Sequence, residues 1–171
     1  STLYLATGDE DAQHISSIGV FKSIDGGDNW NPTGLTFSLD QNEYINDLAF
    51  APGNSTTIFA LTNTEIKRTT DSGATWSNIP VTYPFDPFTE SFQNIIFDPN
   101  DNMKVVVSDG FGGIYFSIDG GATFNLHNTI QGISSGQQKL KITSSANDPD
   151  CDEPVWTHRS FVPDHRLPYP E

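Results

Sequence analysis

The sequence predicts an all-β fold assembled from repeated four-stranded antiparallel sheets, and three observations lead to that expectation. The first is one turn pattern, [ST]-x-D-x-G-x-x-[WF], which occurs as SIDGGDNW at 23–30, TTDSGATW at 69–76 and SIDGGATF at 117–124. Its aspartates, Asp25, Asp71 and Asp119, stand 46 and 48 residues apart. The second is an independent marker with the same step. LAFAPGN at 48–54 matches IIFDPND at 95–101 and, more weakly, ITSSAND at 142–148, so that Phe50, Phe97 and Ser144 are 47 residues apart each time. The third is composition: 14 Gly, 11 Pro and 12 Phe in 171 residues suit short strands joined by tight turns and argue against a helical bundle. A repeat of this length that divides into four short strands describes the blades of a β-propeller.

The strands follow in order from the turn residues between them. The first unit lacks an innermost strand and is expected to begin at 3–7, followed by 19–23 and 29–32. The second is expected over 45–50, 58–61, 65–70 and 76–79, and the third over 94–97, 104–108, 113–117 and 123–126. A fourth unit opens at 139–143 and then loses the pattern. The resulting division is a partial propeller over 1–148, with blades at about 2–34, 44–80 and 92–128 and the start of a fourth at about 138–148. Residues 149–171 read as an irregular tail, because Pro149, Pro154, Pro163, Pro168 and Pro170 remove backbone donors throughout it.

The turn pattern has a structural reason at each fixed position. Asp25, Asp71 and Asp119 lie between the third and fourth strands, where a carboxylate accepts hydrogen bonds from the amides of its own turn. Gly27, Gly73 and Gly121 follow two residues later, where a positive φ is needed. Trp30, Trp76 and Phe124 open the outer strand and offer a broad aromatic surface for burial between adjacent blades.

With these residues in place, the chain resembles the Asp-box (BNR) repeat β-propellers, over roughly residues 2–148. The combination of a D-P-N or A-P-N turn, a strand such as FALT, and VFKSIDGG is most similar to the sortilin and xyloglucanase-like branch. The resemblance implies a larger, seven-bladed propeller of which this chain supplies three blades, with further blades or a partner protein closing the ring. It is specific for fold and weak for activity. Sialidase chemistry is set aside, because that family grips its substrate with three arginines and this chain has Arg68, Arg159 and Arg166 only, none of them in a suitable place. The F/Y-R-I-P sequence typical of sialidases is absent too, as is the cysteine-rich module that follows a true sortilin-type propeller.

Charge and cysteine content bound the partners. A formal net charge of −14 repels phosphate backbones and anionic membrane surfaces, so nucleic acid and membrane insertion are not expected. The chain opens at Ser1 and enters an apolar run without a basic region, so no signal peptide is expected within it. Cys151 is the only cysteine and has neither a disulfide partner nor metal-site spacing. His14 and His127 are isolated. The sequon Asn54-Ser55-Thr56 is a pattern that chance produces often.

Function is expected on the face opposite the aspartate turns, where the loops between second and third strands meet the connections between blades. The loop 8–18 is the longest of its kind and carries Asp9, Glu10, Asp11 and His14. By resemblance to xyloglucanase-like enzymes, whose catalytic aspartate lies on an equivalent loop, Asp9 or Asp11 is a candidate catalytic carboxylate, and Asp109 is another. Glycoside hydrolysis requires two such groups across the scissile bond, about 5–9.5 Å apart. Asp9 and Asp11 also suit calcium, the one cofactor worth considering, although the loop lacks EF-hand spacing. The connection 80–92 carries Tyr83, Phe85 and Phe88, which are candidates for stacking on a glycan or anchoring a protein. Two functions follow: a secreted or cell-surface, non-catalytic module that binds a glycan or protein, or part of a xyloglucanase-like endo-glucanase.

Overall fold

The computed structural model describes residues 1–8, 15–82, 92–130 and 141–143. Within them twelve strands form three sheets, joined by turns and one short 3-10 helix, Leu39–Gln41. Sheet I comprises β1 (Leu3–Ala6), β2 (Gly19–Ser23) and β3 (Asn31–Thr36), hydrogen-bonded in that order. Sheet II comprises β4 (Ile45–Phe50), β5 (Ile58–Thr62), β6 (Ile66–Thr69) and β7 (Ser77–Ile79), again in sequence order. Sheet III contains β9 (Phe92–Phe97), β10 (Val105–Asp109), β11 (Gly113–Ser117) and β12 (Phe124–Thr129), and β8 (Val81–Thr82) is added outside β12. Consecutive strands pair antiparallel, as hairpin connections require.

Several details differ from the strands expected above. The third strand of sheet I runs over Asn31–Thr36 rather than 29–32, because Asp25 holds Asn29 in the turn and pairing starts at Asn31. The fourth strand of sheet III continues to Thr129, past a register shift between Ile114 and Tyr115. Sheet III also gains a fifth strand, since Val81 and Thr82 pair in parallel with Phe124 and Asn125. Residues 141–143, expected within a strand, carry no strand, and the remainder of 139–148 and the tail 149–171 lie outside the described residues.

Side-chain alternation along the second strands gives every sheet two distinct faces. Register places Leu3, Ile58 and Val105 in one structural position, followed by Tyr4, Phe59 and Val106, then Leu5, Ala60 and Val107. Residues at the first and third of these positions face the preceding sheet, and those at the second face the following one. Thus Tyr4, Ala6 and Val20 of sheet I pack against Ala60, Leu48 and Trp76 of sheet II. Phe59, Leu61 and Ile66 of sheet II pack against Val105, Val107, Tyr115 and Phe124 of sheet III. Sheet II is therefore covered on both sides, and all five residues of β5 are buried. A half-covered strand alternates apolar and polar residues, whereas a doubly covered one, like IFALT, reads as a continuous apolar run.

The two inter-sheet layers repeat the same arrangement of rings. Tyr4 meets Phe50 edge-on with centroids 5.4 Å apart, and Phe59 meets Phe97 in the same way at 5.6 Å. A cation lies over the outer side of each pair: Lys22 Nζ is 5.4 Å from the Tyr4 ring, and the Arg68 guanidinium is 5.5 Å from the Phe59 ring. Edge-to-face pairs and cation–π contacts each add about 0.5–1.5 kcal/mol beyond simple burial.

A polar side chain on each innermost strand ties it to the next. Asp47 Oδ2 accepts from Asn94 Nδ2 at 2.7 Å and from the Ile95 amide at 3.1 Å. One repeat later, Asn94 Oδ1 accepts from the Ile142 amide at 2.8 Å. Both backbone bonds span 48 residues, so residues 141–143 start where the innermost strand of a following sheet belongs.

Candidate functional site

Two ends of the sheets carry the chemistry-bearing residues. At one end lie the three aspartate turns, and their bonding is nearly identical. Asp25 Oδ1 accepts from Ser23 Oγ (2.7 Å) and the Asn29 amide (3.0 Å), while Oδ2 accepts from Asn29 Nδ2 (2.8 Å). Asp71 does the same with Thr69 Oγ1 (2.7 Å), the Thr75 amide (2.9 Å) and Thr75 Oγ1 (2.6 Å). Asp119 uses Ser117 Oγ (2.6 Å), the Thr123 amide (3.0 Å) and Thr123 Oγ1 (2.7 Å). The Ser23, Thr69 and Ser117 hydroxyls also accept from the amides of Gly27, Gly73 and Gly121. Those glycines have φ of +108°, +88° and +76°, the left-handed region that glycine enters without steric cost.

This bonding favours the ionised carboxylates. The Asn29 side chain, its amide and Ser23 hold Asp25 well below the usual carboxylate range. Thr75, through side chain and backbone, and Thr69 lower Asp71 to about 2. Burial raises Asp119, but hydrogen bonds from Ser117, Thr123 and Ala122 outweigh it and leave this group too at about 2. Every oxygen of these carboxylates points into its own turn, so their chemistry is that of a clasp. Trp30 and Trp76 close the turns by donating Nε1–H to the carbonyls of Gly27 and Gly73. Trp76 and Phe124 then enter the inter-sheet layers, whereas Trp30 is 38% exposed, since no described sheet precedes sheet I. Ser23, Thr69 and Ser117 are the fixed Ser/Thr of the turn pattern, which assigns them no role, and the Asn29/Thr75/Thr123 position is variable in it. Their signal is side-chain hydrogen-bonding capacity at one fixed place, not residue identity.

At the opposite end, each second strand finishes on a residue that closes its hairpin. Thr7 Oγ1 accepts from the amides of Ile18 and Gly19, and Thr62 Oγ1 from those of Thr64 and Glu65. Asp109 takes this position in sheet III. Its Oδ1 accepts from the Phe111 and Gly113 amides at 2.8 and 2.7 Å, and its Oδ2 from Tyr115 Oη at 2.8 Å. At 3% exposure it is walled in, and the close approach of Gly113 leaves no room for a Cβ there, which would fall 2.3 Å from Asp109 Oδ2.

Other acids near this end are also engaged. Glu43 receives Thr64 Oγ1 at 3.1 Å, and its carbonyl accepts from the Ser17 amide, which anchors the far end of the acidic loop beside it. Glu65 is bonded by Lys67 and Asn78. Asp9, Asp11 and His14 of that loop, and Tyr83, Phe85 and Phe88 of the aromatic connection, lie outside the described residues. Among the described residues no group of three or more His, Cys, Asp or Glu side chains could hold a metal ion. No described helix is long and apolar enough to cross a membrane. His127 stacks on Phe116 with centroids 4.3 Å apart.

Three sheets in sequence order, packed face to face, match known architectures. The chain is 24% identical to the GH74 enzyme of Niastella koreensis, with a TM-score of 0.51 over 77% of this chain and 21% of that one. An ancestral GH74 enzyme gives 23% identity and a TM-score of 0.51 over 63% of this chain and 15% of the other. The fold is a β-propeller. A ring needs about four to eight blades, so these three sheets form an arc of a larger one. In sequence, the chain is 29% identical to the xyloglucanase Xgh74A of Acetivibrio thermocellus over 148 residues, which is 71% of this chain and 18% of the relative. The chain thus spans about a fifth or less of each relative's own length. No family model matches it.

Proposed function

We propose that this chain is a non-catalytic binding module of a secreted or cell-surface propeller, taking a glycan on the face opposite the aspartate turns. One observation carries the reading: among the described residues, the carboxylates at that end are committed to structure. Asp109 is buried with both oxygens engaged, and Glu43 and Glu65 each have local partners. A hydrolytic pair needs two carboxyl groups open to the substrate. Tyr83, Phe85 and Phe88 are the residues proposed to stack on sugar rings, as exposed aromatic faces do.

The second reading is a xyloglucanase-like glycoside hydrolase, favoured by the 29% identity to a xyloglucanase. It assigns Asp9 or Asp11 as one carboxylate, facing another from a distant blade. Gel-retardation in xyloglucan, run beside a reducing-end assay on the same chain, separates the two. The binding reading expects retardation that Phe85→Ala or Phe88→Ala weakens, with no release of reducing ends. Reducing ends that disappear in Asp9→Asn or Asp11→Asn carry the second reading, and a chain that neither binds nor cleaves overturns both.

A further inference from the structure

Sheet II breaks the repeat at the end opposite the aspartate turns. Register aligns three cross-strand pairs between third and fourth strands: Phe21 with Pro32 in sheet I, Lys67 with Asn78 in sheet II, and Tyr115 with Leu126 in sheet III. Sheets I and III set a ring beside an apolar partner there, whereas sheet II sets a cation beside an amide. Two residues before Phe21 and Tyr115 stand Gly19 and Gly113, and two before Lys67 stands Glu65. A Cβ at Gly19 would fall 2.1 Å from the Leu35 carbonyl oxygen, and one at Gly113 would fall 2.3 Å from Asp109 Oδ2. The hairpin of sheet II therefore holds a carboxylate at a place that the other two hairpins close.

Glu65, Lys67 and Asn78 bond to one another in a closed ring. Lys67 Nζ donates to Glu65 Oε2 and to Asn78 Oδ1 (2.6 Å), and Asn78 Nδ2 donates to Glu65 Oε1. The ring uses only part of their capacity, since an ammonium donor, an amide N–H and further carboxylate lone pairs remain. Asn78 is exposed, and the Glu65 side chain is 40% exposed. Beside them opens a cavity of about 410 Å³, with Thr64, Glu65 and Asn78 as its polar lining and Ile66, Ile79 and Pro80 as its apolar lining. Sheets I and III pack on the two faces of sheet II. The cavity is thus a feature of the loop end itself and not of an uncovered flank.

We propose that this cavity is a saccharide subsite. Glu65, Lys67 and Asn78 exchange hydrogen bonds with the hydroxyls of an uncharged sugar ring, while Ile79 and Pro80 meet its C–H face. The subsite rests on the glycan-binding reading above and gives it a place and a ligand class. Three features select that ligand. A sugar ring is polar at its rim and apolar on its faces, and the cavity lining divides in the same way, with a few placed polar groups against apolar walls. The ring of bonds holds the three side chains before a ligand arrives, so less rotamer freedom is lost on binding. Charge is balanced within it: an anionic ligand meets Glu65 beside Lys67, and a cationic one meets Lys67 beside Glu65. The net charge of −14 further disfavours acidic saccharides. Glu65 acts here as a fixed acceptor and passes no proton, in keeping with binding without cleavage.

The experiment is an NMR titration of the whole chain, followed through its amide signals, with an uncharged xyloglucan oligosaccharide and separately with an oligogalacturonate of similar length. The Asn78 side-chain amide and the backbone amides from Thr64 to Lys67 are expected to shift with the uncharged ligand. The acidic ligand is expected to bind about tenfold more weakly or worse. Glu65→Gln and Asn78→Ala are each expected to weaken binding about tenfold, with signals elsewhere in the free chain unchanged. Shift mapping on the parent needs no variant, so the test survives a variant that fails to fold. Shifts that avoid Asn78 and the Thr64 to Lys67 turn, or affinities unchanged in both folded variants, overturn the subsite and leave the glycan-binding reading standing. An oligogalacturonate that binds as tightly as the uncharged ligand overturns the ligand class. No shift with either saccharide overturns the subsite outright, and gel retardation in xyloglucan then decides the broader reading on its own.

Discussion

Gly121 and Gly27 hold the same turn position, yet substitution should separate them. Both have positive φ, so alanine at either costs about 1–2 kcal/mol of backbone strain. At Gly27 an added Cβ meets Leu3 Cδ1 at 3.6 Å and Trp30 Cζ2 at 3.9 Å, both ordinary contacts. At Gly121 it would sit 2.5 Å from Phe59 Cζ, inside the packed layer between sheets II and III. That ring is fully buried and also packs edge-on against Phe97, so it has little freedom to retreat. Overpacking of this kind adds about 1–3 kcal/mol. Urea unfolding is expected to show Gly121→Ala destabilised clearly more than Gly27→Ala, and equal losses would mean that the Phe59 ring yields freely.

The elements differ in how far their sequence announces them. Aspartate, glycine and aromatic at fixed spacing mark the turns because each answers a local demand, and local demands leave local signatures. Asp109 shows the converse. Its glycine-rich loop looks like a site, but the Tyr115 hydroxyl and Gly113 amide that enclose its carboxylate are delivered by hairpin pairing, which the loop sequence does not display. The two-residue strand Val81–Thr82 is too short to carry any period, so its parallel pairing with β12 could not be read in advance. The ties between innermost strands were hidden for a similar reason, since Asp47 and Asn94 share hydrogen-bonding capacity and not identity. They invite a direct test. Asp47→Ala removes the acceptor of the Ile95 amide and the partner of Asn94, leaving donors unmet in a partly buried layer. Such losses cost about 1–3 kcal/mol each. The expected result is a lower urea midpoint for Asp47→Ala, together with faster hydrogen exchange at the Ile95 amide. An unchanged exchange rate there would show that the tie contributes nothing to holding sheet III on sheet II.

For the molecule as a whole, the three turn clasps make stability depend on pH in a defined window. Asp25, Asp71 and Asp119 bind protons more weakly in the folded chain than in the unfolded one. Below the unfolded value near 3.8, the unfolded chain takes up protons that the folded chain still refuses, and the equilibrium moves toward unfolding. The contribution is therefore present in full above about pH 5 and fades as pH falls toward about 2. A second effect runs the other way: neutralising acids relieves the repulsion of a chain with net charge −14. A comparison with Asp71→Asn separates them. The variant keeps nearly the same overall charge, so relief of repulsion is common to both chains, but it has no proton to take up at position 71. It also loses the ionised acceptor for Thr69 and Thr75. At pH 7 the parent should be the more stable in urea. The gap should stay constant down to about pH 5 and then narrow steadily toward pH 2. If the gap is flat across that range, the lowered pKa of Asp71 does not feed into folding, and the clasp stabilises its turn by shape alone.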